Sequence, residues 1–203
     1  MGEETGWGAT GGGGPEPLPF PVFVLFEAAL APLALVLGWA LGIHPLADFQ
    51  WDVKAVLGGV AAALPMLGFL AVAVRWPIGP IARIKSFFNR ELAPVLEGCE
   101  WPDLALISLA AGVGEEMLFR GVIQGGLIRA FGPAAGVASA ALLFGLLHPV
   151  TAWYIAIASL LGAYLGVVWL ASGNLLTVMV AHAVYDLIAL VVLLQDRQET
   201  RGE

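Results

Sequence analysis

The hydrophobic positions of this chain fall in long blocks with few polar interruptions. Apolar runs extend from about Phe20 to Ile43, Ala55 to Val74, Leu104 to Ala130, Ala134 to Leu147, Ala152 to Ala171 and Leu175 to Leu194. A helix needs ~20 apolar residues to cross the hydrocarbon of a bilayer. The blocks therefore predict about six transmembrane helices, the fourth of them short. They are rich in Leu, Ala and Gly, carry internal prolines, and lack the ten-residue alternation of an outer-membrane strand. The predicted fold class is all-α, a polytopic membrane helical bundle.

Short connections leave room for one folded unit, a membrane-embedded helical domain over residues 20–194. Residues 1–19, with Gly11 to Gly14 in a row, three prolines and three glutamates, read as a disordered acidic tail. This segment has no Lys or Arg and leads into a full-length apolar run, so the first helix is expected to be retained and not cleaved as a secretory signal. Residues 195–203 read as a polar tail. The connection after the second run carries Arg75, Arg83, Lys85 and Arg90, which assigns it to the cytoplasm. Counting spans from there makes a multi-pass integral membrane protein with both termini cytoplasmic. Within that connection Ile81, Ile84, Phe87 and Phe88 set against Arg83, Lys85 and Arg90 fit an amphipathic helix on the inner leaflet, or an ordinary connector.

Composition agrees with the pattern: 59% of residues are hydrophobic and 12% charged, with a mean hydropathy of +0.86. The net charge of -7 includes no dense Lys/Arg cluster, which excludes a nucleic-acid partner and leaves lipid as the expected surroundings. Cys99 is the only cysteine, so no intrachain disulfide forms. Its neighbours Glu97 and Glu100 are not the electropositive surroundings of a reactive thiol.

Against this background six ionisable residues stand out: Glu115, Glu116 and Arg120 in the third run, His148 at the end of the fourth, and His182 and Asp186 in the last. Each charge at mid-membrane costs ~2.5 to 3.5 kcal/mol. The four formal charges would together cost roughly 12 kcal/mol unpaired, as much as the ~5 to 15 kcal/mol that holds a whole domain folded. They are expected to face the bundle interior or a wet cavity. Glu116 and Arg120, four apart, share a helix face and make an ion pair, whereas Glu115 is rotated by about 100° and has no local counter-ion. One carboxylate is structural; the other is free to act as a general base.

With Arg129 to Pro133 as a turn, Glu115 precedes it by about as many residues as His148 follows it. Both then lie about 24 Å from it at ~1.5 Å per residue and meet across an antiparallel hairpin. Ala110, Gly112, Gly114, Gly121 and Gly125 supply small surfaces for close helix approach. His182 and Asp186 share a face of the last helix. The same ladder leaves His182 well over 10 Å from the His148 level if the fifth span runs perpendicular to the membrane, so convergence requires tilt or a short helix. Phe144, one turn before His148, is expected to brace its ring, and Trp153, Tyr154 and Trp169 to anchor span ends at the interface.

In these residues the chain resembles the CPBP family, the CAAX prenyl protease and bacteriocin-processing group also called Abi proteins. Its motifs appear in order as Glu115-Glu116-x-x-x-Arg120, Phe144-x-x-x-His148 and His182-x-x-x-Asp186, with Asp in place of the commoner Asn. The resemblance covers about Trp101 to Leu194. It implies an intramembrane endopeptidase, whose eukaryotic relatives cut the last three residues from prenylated CaaX proteins. It also implies roles: Glu115 activating water with His148, Glu116 and Arg120 maintaining the helix, and His182 with Asp186 stabilising the oxyanion.

The expected partners are membrane lipid and a peptide or protein substrate at the membrane, lipid-modified in those relatives. The preferred chemistry requires no cofactor. A three-ligand site for a divalent ion such as Zn²⁺, built from Glu115, His148 and His182, stays open as the alternative. The chain lacks the His-Glu-x-x-His zinc signature, a Gly-Asp pair and a Gly-x-Ser-Gly nucleophile. Two other readings fit the same polar cavity: a non-catalytic binding or immunity module, and an ion relay, the latter without an internal repeat to support it.

Overall fold

The computed structural model describes residues 19–202, among which there are helices and no strands. The acidic segment expected over residues 1–19 lies, apart from Pro19, outside the described residues. Eight α-helices follow one another: α1 Phe20–Leu41, α2 Val53–Arg75, α3 Pro80–Phe87, α4 Trp101–Glu116, α5 Gly125–Phe131, α6 Pro133–Leu146, α7 Ala152–Ser172 and α8 Leu175–Gly202. A π-helical turn, Met117–Gln124, joins α4 to α5 without a break, and a shorter one, Phe88–Leu92, extends α3.

The boundaries follow from local chemistry. Asp52 caps α2 by accepting from the Lys54 N–H at 3.0 Å, and Thr151 caps α7 by accepting from the Tyr154 N–H at 3.0 Å. Glu100 and Asp103 form a reciprocal capping box at the start of α4. Gly42 and Gly173 close α1 and α7 with φ of 66° and 62°, where a side chain would be strained. Pro149 restricts the backbone of His148 ahead of it, and α6 stops after 14 residues.

Four helices, α1, α2, α7 and α8, are long and apolar enough to cross a membrane, and the protein is an integral membrane helical bundle. The sequence pattern predicted six spans. The third predicted block is present as a continuous helical run from Trp101 to Phe131, but the π turn interrupts its regular hydrogen bonding; the fourth is the short α6. The helix weighed for the connection after α2 is α3, with Ile81 and Ile84 turned into the protein and Arg83 exposed. The polar segment after residue 194 is helical, as the continuation of α8.

Small residues set the packing. α4 lies on α8 where a Cβ at Gly112 would sit 2.8 Å from the Met179 carbonyl oxygen and 2.9 Å from the Ala183 Cβ. At Gly114, a Cβ would meet the Glu27 carbonyl oxygen at 2.5 Å, so α1 touches α4 backbone to backbone. α2 approaches α8 equally closely at Gly59, and α6 packs along α7. With no hydrophobic force between helices inside lipid, such close approach is a main source of cohesion.

The connection between α1 and α2 settles the depth of the last helix. Pro45 rests on Gly121, and three residues on the Asp48 carbonyl accepts from the Leu175 N–H at 2.9 Å. Asn174 joins the same connection, donating to the Gln50 carbonyl at 2.8 Å and accepting from the Gln50 N–H at 3.1 Å. The α7–α8 turn therefore lies nearer the level of Gly121 than that of Gly132. This offset brings His182 to the level of the other motifs although α7 is 21 residues long.

Gly112→Ala is expected to lower stability by ~1 to 3 kcal/mol, since the added methyl has no space to enter. Gly68→Ala, where nothing lies within 4 Å, should be neutral or stabilising by up to ~1 kcal/mol. Thermal unfolding of the purified variants in one detergent checks the pair.

Candidate active site

Glu116 is the centre of the polar cluster and is completely buried. Its Oε1 accepts from Arg120 Nη1 at 2.8 Å and contacts Nδ1 of His182 at 2.7 Å. A carboxylate paired with arginine only accepts, so His182 Nδ1–H donates to it, and Nε2 is the nitrogen left for other partners. Arg120 Nη2 donates to the Gly162 carbonyl at 2.7 Å, and Gln124 Nε2 to the Gly166 carbonyl at 3.1 Å. Side chains one turn apart on the π segment thus grip carbonyls one turn apart on α7. The Arg120 guanidinium also lies 5.2 Å from the centre of the Phe144 ring.

Phe144 in turn links the histidines. Its ring centre is 4.7 Å from that of His148 and 6.3 Å from that of His182. The Phe144 carbonyl is 2.7 Å from His148 Nδ1. A carbonyl only accepts, so Nδ1 carries the hydrogen, and the lone pair is on Nε2. On α8, His182 Nε2 lies 3.4 Å from Asp186 Oδ2, and Asp186 is about one-third exposed.

Glu115 differs from its neighbour. Both are buried with Oε2 unpaired, but Glu116 is held through Oε1, whereas the Glu115 side chain makes no hydrogen bond or ion pair. It lines a cavity of about 640 Å³ together with His148, Tyr154, His182 and Asp186. The far wall of that cavity is apolar, with Phe26 of α1, Phe69 and Leu70 of α2, and Ile84 and Phe87 of α3. Beside that wall Lys85 pairs with Asp196 of α8 at 2.6 Å.

All seven residues singled out in the sequence, Glu115, Glu116, Arg120, Phe144, His148, His182 and Asp186, thus come together around one cavity and its wall. Among the described residues, no three of His, Cys, Asp or Glu are grouped so as to hold a metal ion, and Glu115, His148 and His182 form no such set.

Sequence reading missed Glu27. It lines the same cavity from α1, and its Oε2 is buried without a hydrogen-bond partner. The available signal was its isolation, as the one charged residue in the whole of Phe20–Leu41. Two aromatic residues expected at the interface are elsewhere. Trp169 is buried in the core, where its ring is covered by Gly125 on the neighbouring helix, and Tyr154 faces the cavity near His148. Trp153 is exposed. Burial and the Asp103 carboxylate push the Cys99 thiol up, away from the reactive range.

Glu116→Gln removes the charge that balances Arg120 and gives His182 a weaker acceptor. Breaking a buried pair in this way typically costs ~3 to 5 kcal/mol. A correspondingly large fall in the thermal midpoint in detergent is expected, against little change for Glu115→Gln, which breaks no ion pair.

Residues 98–188 match the family model described as type II CAAX prenyl endopeptidase Rce1-like. Neither the curated proteins nor the solved structures gave a match. The matched segment holds every residue of the three motifs and leaves out α1 and α2. Over this segment the chain is similar to the Rce1-like type II CAAX prenyl endopeptidase family.

Proposed function

We propose that this protein is an intramembrane endopeptidase that hydrolyses a peptide bond near the cytoplasmic membrane face, with water activated by Glu115 and His148. The observation that carries this reading is the contrast between the two adjacent glutamates. Glu116 is held through Oε1 by Arg120 and His182, whereas Glu115, with no hydrogen bond or ion pair on its side chain, lines a cavity shared with His148. A buried acceptor without a partner costs free energy, and a water molecule held there relieves it.

In the proposed reaction Glu115 takes one proton from this water while Nε2 of His148 accepts a hydrogen bond from the other. The water oxygen attacks the scissile carbonyl, and the C=O π pair moves onto oxygen as an oxyanion. His182 faces that oxyanion through Nε2, because Nδ1 is committed to Glu116. That second donation makes His182 an imidazolium, whose one Nε2–H, 3.4 Å from Asp186 Oδ2 in the free protein, turns to the oxyanion while the Asp186 carboxylate balances the ring's charge. Collapse re-forms the C=O bond and breaks the C–N bond, and Glu115 returns its proton to the departing nitrogen. No step runs through a metal ion. The apolar wall formed by α1, α2 and α3 suits a lipid-modified peptide, as the description of the similar family implies, and the Arg- and Lys-bearing connection supports a cytoplasmic position for that end and for both termini.

The direct test is cleavage of a quenched peptide anchored in vesicles and carrying a farnesylated cysteine three residues from its carboxyl terminus. Wild type should cleave it at an unchanged rate after exhaustive chelation. Glu115→Gln should reduce kcat by ~10² to 10⁴, the range expected for loss of a general base, while leaving the fold intact. Equal rates for Glu115→Gln and wild type would end the general-base reading, and loss of activity on chelation with recovery on Zn²⁺ would give His148 and His182 the role of ligands instead.

Asp186 can be separated from His182 in the same assay. His182→Ala should cost ~10² to 10³ in kcat, as removal of an oxyanion donor does. Asp186→Asn should also lower kcat, with KM little changed, because an amide no longer balances the ring that it orients. Full activity of Asp186→Ala would return that residue to a packing role.

A further inference from the structure

Glu27 has no part in the reaction described so far, yet its position demands one. It is the one charged residue of α1, in a span where a carboxylate costs ~2.5 to 3.5 kcal/mol. Its Oε2 is buried and unpartnered. The backbone of α1 touches α4 at Gly114, one residue before Glu115, with the contact made by the Glu27 carbonyl itself. The two glutamates are therefore held at one level by direct backbone contact. Both line the same cavity, and Glu27 is within electrostatic reach of Glu115, Asp186, His148 and His182.

The charges around this cavity can be paired off. Glu116 takes Arg120 and His182, Asp186 faces His182, and Lys85 is held by Asp196. Glu115 and Glu27 remain, each with a buried oxygen to satisfy. Peptide hydrolysis offers a partner to each. The water supplies a hydrogen to Glu115, and the scissile amide supplies an N–H that none of the residues assigned above accepts. When Glu115 returns its proton, the departing nitrogen becomes cationic in a cavity of low polarity, where an adjacent anion is worth far more than in water.

We propose that Glu27 is a further catalytic carboxylate, which accepts the scissile N–H in the bound peptide and pairs with the nitrogen as it gains positive charge and leaves. The proposal rests on the protease reading above. Atoms balance without a co-reactant. Water gives its oxygen and one hydrogen to the new carboxyl group and its other hydrogen, through Glu115, to the amine. Glu27 exchanges no proton and acts through its charge.

The role predicts sensitivity to the leaving group. In an ester analogue of the same farnesylated peptide, with oxygen in place of the scissile N–H, the leaving group has no hydrogen to donate and acquires no positive charge. Glu27→Gln, which keeps size and shape, should slow amide cleavage by roughly 100-fold and change ester cleavage by less than about threefold. The ratio of the two rates within one preparation is independent of how much of the variant is folded. Glu27→Asp, which keeps the charge, should restore amide cleavage in part.

Equal slowing of amide and ester would make Glu27 a structural or water-holding residue and overturn the proposal, as would unchanged cleavage of both. Glu115→Gln, run beside it, should lose both substrates. If wild type cleaves neither, the protease reading falls, and this inference with it.

Discussion

One oxygen atom, Oε1 of Glu116, holds the polar half of this molecule together. Arginine approaches it from one turn further along the same helical run, and histidine approaches it from α8. Arg120 extends the connection to the Gly162 carbonyl of α7 and lies against Phe144 of α6. Four helical segments therefore meet at a single buried carboxylate. A buried ion pair gains little over apolar packing in net stability, but removing one member strands the others, so the arrangement fixes how the segments are rotated relative to one another. That rotation turns Glu115 toward the cavity and commits Nδ1 of His182, leaving Nε2 toward Asp186.

Around this node the packing is made from absences of side chain. Gly112, Gly114, Gly59 and Gly121 each admit a backbone atom of another segment where a methyl group would collide. At Gly112, Gly114 and Gly121 such contacts tolerate no sliding, since a shift by one residue in either direction replaces glycine with a larger side chain. They also explain why the helices next to the site are short or irregular without being loose. The π turn Met117–Gln124 lies where Arg120 and Gln124 must both reach α7, and its altered hydrogen bonding is offset by those two side-chain bonds.

Much of the cluster was legible in the chain because charge at membrane depth is costly and four-residue spacing puts partners on one face. The Glu116–Arg120 and His182–Asp186 contacts follow from spacing within single helices, and the place of Glu115 and His148 on one cavity from counting residues on either side of a turn. The link between His182 and Glu116 depends on the rotation of α4 against α8, which no periodicity within either helix specifies. The depth of His182 depended on Asp48 and Asn174, polar residues in connections that hydropathy passes over. Trp169, read from its place near a span end, is covered by a neighbouring helix that the linear pattern does not position. Glu27 was missed because α1 was judged by its overall apolarity, in which one carboxylate among 22 residues hardly registers.

The length of α8 gives the molecule a mechanical property. The same rod that carries His182 and Asp186 continues to Asp196, about 21 Å beyond His182 at 1.5 Å per residue, where it holds Lys85 of α3. The amphipathic α3 forms part of the cavity wall and, at its far side, meets the surroundings of the bundle. Because a helix resists bending, α3 cannot be drawn outward while it keeps its grip on Asp196 unless the rod tilts. The end that carries His182 and Asp186 would tilt with it. A pull on α3 and the aim of the His182 ring are thereby joined through one lever arm.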